Sequence, residues 1–574
     1  MMDTLKQLLR SRLKDAFATV TGENVDPEVR RSQYADFQSD AALGLARRLR
    51  RNPREIAVAV AAAARLDDLC SVAEVSGPGF INLHIDDRVL GRMIAEMSGD
   101  DRLGIPSVEP QAVVIDYSSP NAAKEMHVGH LRSTIIGDAA VRLLEWLGHR
   151  VIRRNHIGDW GTPFGMLIEH LIDIGETEAV HELTSGDLDE FYKAARRQFD
   201  ESPEFQERSR RRVVLLQSGD QITLRLWHLL VEQSKNYFMT VYERLGSRLT
   251  RADFVGESAY NDDLSAVVQE LERSGLIRES NGALCVFPAG FSNRAGEPLP
   301  LIVRKSDGGF GYAATDLAAI RERTKVLQAQ RLLYVVGLPQ HQHFQMIFEV
   351  ATEAGWLRAR EQGEHIGFGS VLGPDGKMFR SRAGGTIKLL SLLDEAIRRA
   401  SVLIEQKNPE LDSDTRREIA RAVGIGAIKY ADLSTDRTKD YVFDFDRMLS
   451  FEGNTAPYLQ YAYTRIQSIF RRGGVSLFSG RHTPEIRERA ERALALEIIG
   501  LGDIVAEVAI SLEFHRLANY LYELATRFTA FYEQCHVLHE EASVQRSRLV
   551  LCDVTARVLA KGLDLLGIDV PNRM

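Results

Sequence analysis

The chain has 574 residues, 44% of them hydrophobic and 26% charged, and a formal net charge of -8 at pH 7. That length is too great for one compact core and implies about three domains. The composition is that of a globular chain in water, which excludes a disordered protein and leaves no apolar run for a membrane span, so no membrane partner is expected.

In chain order, "MMDTLKQLLRSRLKDAF" mixes acids and bases into its apolar positions and lacks the core of a signal peptide, so a cytoplasmic address is expected. "LKQLLRSRLKDAFATV" has the period of an amphipathic helix, and "AALGLARRLRRNPREIAVAVAAAARL" reads as a second helical run. "VAEVSGPGFINLHI" reads as two short strands around a Gly-Pro-Gly turn, which completes a small α+β domain over residues 1–110. The run Ala112 to Ile115 is short, β-branched and bounded by turn residues, as in a buried parallel strand. "GHLRSTIIGDAAVRLLEWLGH" then has helical period and "RVIRRNHIGD" is the next strand. Strand, helix and strand make a βαβ unit whose ligand site lies at the strand C-terminal ends, against the helix N-terminus.

From about residue 170 to 295 the chain turns helical, polar and charged, the mark of an insertion; "LPLIVRKSDGGFGYAATDLAAIRERTK" and "RLLYVVGLPQHQHFQMIFEVATEAGW" resume the alternation. The second half of the nucleotide-binding sheet is therefore expected beyond residue 300, within a domain over residues 111–430. Residues 431–574 have helical period almost throughout. The fold class read from this order is α/β: a Rossmann-type catalytic domain with an insertion, a small α+β domain before it and an all-helical domain after it.

Cys70, Cys285, Cys535 and Cys552 are far apart and form no zinc spacing, so neither disulfides nor protein-bound zinc are expected. Net negative charge does not settle nucleic-acid binding, because the placement of positive charge matters more than its sum. Arginine is dense at 45–54, 207–214 and 470–474, where solvated helix faces and contact surfaces are both consistent readings.

Chemistry concentrates in "PNAAKEMHVGH", Pro120 to His130. His127 and His130 stand one helical turn apart around Gly129, where backbone can approach a nucleotide and both rings can face one phosphate. No third ligand or HExxH pattern accompanies them, so no metal site is expected there. From "HVGH" alone, an ordinary helix start with a satisfied loop histidine fits as well.

"HVGH" resembles the HIGH signature of class I aminoacyl-tRNA synthetases. The longer "VVIDYSSPNAAKEMHVGHLRSTIIGDAAVRLLEWLGHRVIRRNHIGDWGTPFGMLI" resembles the active-site segment of arginyl-tRNA synthetases. So do "SVLGPDGKMFRSRAGGTIKLLSLLDEA", "GYAATDL", "LSFEGNTAPYLQYAYTRIQSIFRR" and "LAKGLDLLGIDVPNRM". The resemblance runs from about residue 20 to the last methionine. It implies activation of L-arginine with ATP and Mg2+, release of pyrophosphate, and transfer of the arginyl group to the 3′ terminal adenosine of tRNA(Arg). It also implies a monomer, no DNA partner, and activation that waits for tRNA.

Residue by residue, the resemblance puts Pro120, Asn121, His127, Gly129, His130, Gly158 and Asp159 at ATP. It puts Asp116, Ser118, Asn121, His130, Tyr312, Asp316 and Gln340 around arginine. A second cationic loop, residues 373–385, carries Lys377, Arg380 and Arg382, with Arg382 where the KMSKS signature has its second lysine. In the family that loss goes with a lysine just before the HIGH motif, here Lys124. A guanidinium has five donors and a permanent charge, so its pocket needs carboxylates or other acceptors; Tyr312 and Asp316, four apart on a helix, can converge, although in isolation they read as a packed residue and a solvent charge.

The N-terminal domain resembles the module that touches the tRNA elbow, with Asn82 at a matching position; a turn-capping asparagine fits equally. The helical domain resembles the anticodon-binding domain, with Tyr458 in loop-like "EGNTAPYLQ" the first candidate to stack on a base. Tyr461, Tyr463, Tyr520, Tyr522, Phe528, Phe531 and Tyr532 are at spacings that suit a helix core as well. One departure stands in "GDWGTPFG", where Pro163 replaces a glutamine of the family pattern. It leaves open a different class of protein, a catalytically reduced paralogue that binds tRNA or arginine in a regulatory or specialised pathway.

Overall fold

The strand Ala112–Asp116 is buried at all its positions and sits between two parallel neighbours, Arg150–Arg154 and Arg331–Tyr334. Gly363–His365 adds a fourth parallel strand outside Arg331–Tyr334. A strand covered on both faces has no polar side to show, which is why its sequence is apolar from Ala112 to Ile115. The two central strands belong to different halves of the chain, so the crevice above their C-terminal ends is a topological switch point, where open α/β sheets bind ligands. The helix Val128–Leu147 covers the sheet at close range, and Gly137 permits this: a Cβ there would lie 2.3 Å from the Tyr117 ring.

The computed structural model describes residues 4–176, 188–359, 362–379, 387–474 and 482–574. The insertion is helical over Thr162–Ile174, Leu188–Glu201, Pro203–Gln217 and Gln221–Leu245, as its composition predicts. It also holds an element that the sequence reading assigned elsewhere. Leu301–Arg304, expected in the nucleotide-binding sheet, pairs antiparallel with Ala283–Val286, which pairs with Ile277–Ser280. The strand alternates buried and exposed positions, the pattern of a one-sided antiparallel sheet. Pro163 occupies the first turn of Thr162–Ile174, where an N–H has no intrahelical partner, so its lack of a donor costs nothing there.

The chain divides into two compact units, one of Val108–Leu449 with Leu565–Ile568, the other of Met1–Ser107, Ser450–Asp564 and Asp569–Met574. The division at 449/450 falls later than the 430/431 boundary read from the sequence. The reason lies in the helix Ser413–Leu433, whose Asp432 carboxylate pairs at 3.1 Å with the buried Arg132 guanidinium of Val128–Leu147.

In the other unit the N-terminal strands form an antiparallel sheet in which Phe80–Ile85 lies between Phe37–Ser39 and Cys70–Ser76. The second helical run is two helices, Ala41–Leu49 and Pro53–Ala63, because Asn52 caps a new start and Pro53 opens it. This domain and the C-terminal helices form a single unit. Arg492 joins them, donating to both Asp36 oxygens at 2.7 Å, to Asp87 at 2.8 Å and to the Ile85 carbonyl at 2.8 Å. These bonds hold the Asp36 carboxyl below its ordinary range, against the opposing effect of its own burial. No described helix is long and apolar enough to cross a membrane.

Arg492→Ala strands the shielded Asp36 carboxylate. It should destabilise this unit by about 3 kcal/mol, seen as a lower urea midpoint for its unfolding transition; an unchanged midpoint would show that the pair does not hold the two domains together.

Candidate active site

The loop that leaves the first strand is strained. Ser118, Ser119 and Ala123 all lie in the left-handed region, with φ of 72°, 45° and 58°. Such residues cost about 1–3 kcal/mol each and persist only where surroundings over-determine them. Here they do. Ser118 N–H donates to Ser133 Oγ at 2.8 Å and Ser119 N–H to Asn155 Oδ1 at 3.0 Å. Ala123 N–H donates to Ser234 Oγ at 2.8 Å, and Tyr242 OH, from the same insertion helix, meets Ser118 Oγ at 2.8 Å and Asn155 Nδ2 at 2.9 Å. Pro120 and Gly158 join the two loops at the strand ends: Gly158 N–H donates to the Pro120 carbonyl, and the Gly158 carbonyl accepts from Ala122. A Cβ on Gly158 would stand 2.3 Å from Asn121 Oδ1, so only glycine lets the loops meet.

At the far end of the loop His127 is the N-cap of Val128–Leu147. Its Nδ1 accepts the Gly129 N–H at 3.0 Å, and His130 Nδ1 accepts the His127 N–H at 3.1 Å. A ring nitrogen that accepts carries no proton, so in both neutral rings the proton is on Nε2. Burial pushes His130 down to about 3, with the His127 ring 4.2 Å away adding to the effect. Burial lowers His127 as well, and Lys124 adds to this while Asp189 opposes it. Near neutral pH the pair is therefore two uncharged Nε2–H donors at a helix N-terminus, which suits an anionic ligand.

The expected arginine residues separate into three groups. Asp116 and Ser118 are buried and already engaged. Asp116 accepts from Arg323 Nη2 at 2.6 Å and from Ser119 Oγ at 3.0 Å, and Ser118 Oγ bonds Tyr242 and Thr134. The Asp116 charge is thus matched by the fully buried Arg323 guanidinium. Tyr312, 77% exposed, and Gln340, exposed in the short turn Leu338–Gln340, stand open at the strand ends. Asp316 lies between these extremes, half-buried, accepting from His343 Nε2 at 2.7 Å.

Glu257, which nothing in its sequence context singled out, belongs with Asp316. Burial, and then the carboxylates of Asp159 and Asp316, push it up to about 7. Asp159 itself is a brace, because its oxygens accept Ser258 N–H at 2.9 Å and Ser258 Oγ at 2.8 Å and its carbonyl accepts the Trp227 indole at 2.7 Å. Asn121 and Gly129 are exposed at the loop surface.

Lys377 is exposed on the turn of residues 373–378, whose base is fixed by Phe379 stacked on Phe443 at 4.9 Å. Arg380 and Arg382 lie outside the described residues. Among the described residues no group of three or more His, Cys, Asp or Glu side chains could hold a metal ion.

In the other unit, Asn82 is 3% exposed, with its amide donating to Ser76 Oγ at 3.0 Å and accepting from Gln38 Nε2 at 2.7 Å. A ligand can meet it only through those neighbours. Tyr458, expected in a loop, is in the first turn of Ala456–Gly473, because Thr455 caps that helix. Its half-buried ring lies 5.6 Å from Tyr522. Arg465 spans Tyr461 and Tyr532 at 5.1 and 5.4 Å. Tyr520, Phe528 and Phe531 are core residues.

Residues 93–445 match the family described as tRNA synthetases class I (R), catalytic domain. Residues 459–574 match the DALR anticodon binding domain, and residues 3–85 the arginyl tRNA synthetase N terminal domain. The chain is 53% identical over 571 residues to an arginine–tRNA ligase of Thermobifida fusca, covering 99% of each chain. It is 51% identical over 558 residues to that of Frankia casuarinae, covering 96% of this chain and 95% of the relative. Among solved structures it is similar to an arginyl-tRNA synthetase of Plasmodium falciparum, with a TM-score of 0.86, 29% identity and all of both chains covered. That of Thermus thermophilus gives a TM-score of 0.82 at 26% identity, covering 99% of this chain and all of the other.

His130 titrates near 3 in the folded chain and near the ordinary 6.5 unfolded. The unfolded state therefore takes up the proton first, and stability present above pH 6.5 is lost as pH falls toward 3. His130→Asn should flatten the pH dependence of unfolding free energy between pH 6.5 and 4 by the linkage of about one proton; an unchanged slope would mean that the ring is not held neutral.

Proposed function

The chain belongs to the arginyl-tRNA synthetase family, and from that membership we propose how its own residues carry out the family's reaction. It is an arginine–tRNA ligase, using ATP, arginine and tRNA. In the first step an oxygen of the arginine carboxylate attacks the α-phosphate of ATP and pyrophosphate leaves, giving arginyl-adenylate. In the second a hydroxyl of the 3′ terminal adenosine of tRNA(Arg) attacks the arginyl carbonyl and AMP leaves. Neither step requires a protein nucleophile, so positioning and fixed donors supply the acceleration.

The observation that carries this reading is the reciprocal capping of His127 and His130, which leaves both Nε2–H groups free to donate at the switch point of the sheet. We assign them to the ATP phosphates, where they stabilise charge without needing to be cations. Gly129 and Asn121 line the approach; Pro120, Gly158 and Asp159 hold it in shape. Lys124 adds positive charge at the triphosphate, and Lys377 with its neighbouring arginines meets the leaving phosphates. Mg2+ would come bound to those phosphates, where it neutralises charge; the described residues offer no protein cage for it.

Asp316, Glu257, Tyr312 and Gln340 form the arginine end of the cleft. A guanidinium beside Glu257 would favour its ionised form, so arginine binding should expel a proton near pH 7. Asp116 and Ser118 act indirectly by holding the loop. The Arg465, Tyr461, Tyr532, Tyr458 and Tyr522 cluster is the candidate surface for anticodon bases. A monomer working in the cytoplasm completes the proposal.

Arginine-dependent exchange of labelled pyrophosphate into ATP, run with and without tRNA(Arg), tests the reading. Exchange that needs both arginine and tRNA is expected; none under either condition, with folded protein, would favour a catalytically reduced paralogue. Calorimetry should show arginine affinity rising from pH 6 to pH 8 with proton release. Glu257→Gln should weaken arginine about tenfold at pH 8 and abolish that pH dependence; its persistence in the variant would remove Glu257 from the pocket.

A further inference from the structure

The insertion helix Leu188–Glu201 reaches the loop before the histidine pair through two contacts that no role above uses. Tyr192 places its ring under Lys124, with Nζ 4.4 Å from the ring centroid. Asp189 Oδ1 accepts the Glu125 N–H at 3.1 Å. Phe191 and Ala195 are buried and seat the helix, and the His170 ring meets Phe191 edge-on at 5.1 Å. On the other side, Glu125 pairs with Lys388 at 3.1 Å, while Met126 and Val128 bond the backbone of Leu389 and Ile387. Lys124 thus sits in a segment clamped from both sides, and the clamp on one side is the insertion.

The chemistry of the contact is specific. A lysine stem has four rotatable bonds, so an ammonium that must meet a phosphate needs something to hold it. A carboxylate would hold it and cancel its charge; an aromatic face holds it through the ring quadrupole and leaves the charge intact. The two neighbouring carboxylates are engaged elsewhere, Glu125 with Lys388 and Asp189 with backbone, and no carboxylate among the described residues forms an ion pair with Lys124. His127 feels both the Lys124 and the Asp189 charge, which puts this cluster beside the donor pair.

We propose that Tyr192 is a positioning residue for activation: its ring holds the Lys124 ammonium beside the histidine pair with its charge uncancelled, so that the insertion helix sets the geometry in which ATP is met. This rests on the arginine-activation reading above. It adds a residue outside the signature motifs and gives the insertion a part in the first chemical step.

The test is arginine-dependent pyrophosphate exchange in the full chain with tRNA(Arg) present. Tyr192→Leu should lower kcat about tenfold, within the range of a cation–π contact, with the KM for arginine unchanged. Tyr192→Phe, which keeps the ring face, should stay within about twofold of the unsubstituted chain. In the Lys124→Met background, assayed at enzyme concentrations that keep residual exchange measurable, Tyr192→Leu should add nothing. The proposal is overturned if Tyr192→Leu leaves kcat unchanged, if Tyr192→Phe is as damaged as Tyr192→Leu, or if the loss persists without Lys124. An unsubstituted chain that shows no arginine-dependent exchange would overturn the activation reading and this inference with it.

Discussion

Everything at the cleft depends on the backbone bonds that keep the loop from Asp116 to His127 in a conformation it would not hold alone. Three non-glycine residues with positive φ are a standing cost, and the helix Val128–Leu147, the loop at Asn155 and the insertion helix Gln221–Leu245 all contribute bonds that offset it. The bonding side chains, Ser133, Asn155 and Ser234, are buried, so water does not compete for these bonds. The histidine pair inherits this rigidity. Each ring accepts a backbone N–H, and the acceptor role of Nδ1 leaves the proton on the nitrogen available to a ligand.

Charge is distributed by the same economy of positions. The conspicuous carboxylate at the end of the first strand, Asp116, is matched by the chain's own Arg323, whose ring neighbour Tyr334 lies 5.0 Å away. Asp316, paired with His343, and Glu257 are the carboxylates proposed to meet an incoming guanidinium. Burial first, and then the carboxylates of Asp159 and Asp316, raise Glu257 to about 7, so a neighbouring cation would favour its ionised form. The proposed pocket would reject neutral analogues, since acceptors would remain unpaired and the acids uncompensated.

Much of this was legible in the sequence, for identifiable reasons. The strand Ala112–Asp116 and the helix after it carry strong periodicity and end at their caps, and the signature residues fall where strand, loop and helix meet. Long-range partnership was not legible. Asp116 with Arg323, Asn82 with Gln38, and Asp159 with Ser258 are contacts between distant segments that no local pattern encodes. Local rules also lost where capping intervened: Thr455 made Tyr458 helical, and Pro163, which read as a departure, is at ease in a first turn. The short apolar alternation of Leu301–Arg304 fits either sheet, and only its antiparallel pairing with Ala283–Val286 decides between them.

The most direct test of the account is the protonation state of the two rings. Nitrogen-15 NMR of histidine-labelled protein, with His127 and His130 assigned by single substitution, reads the tautomer and charge of each. The account predicts neutral rings protonated on Nε2 at pH 7, with His130 still neutral at pH 5. A proton on Nδ1, or an imidazolium at pH 7, would contradict it.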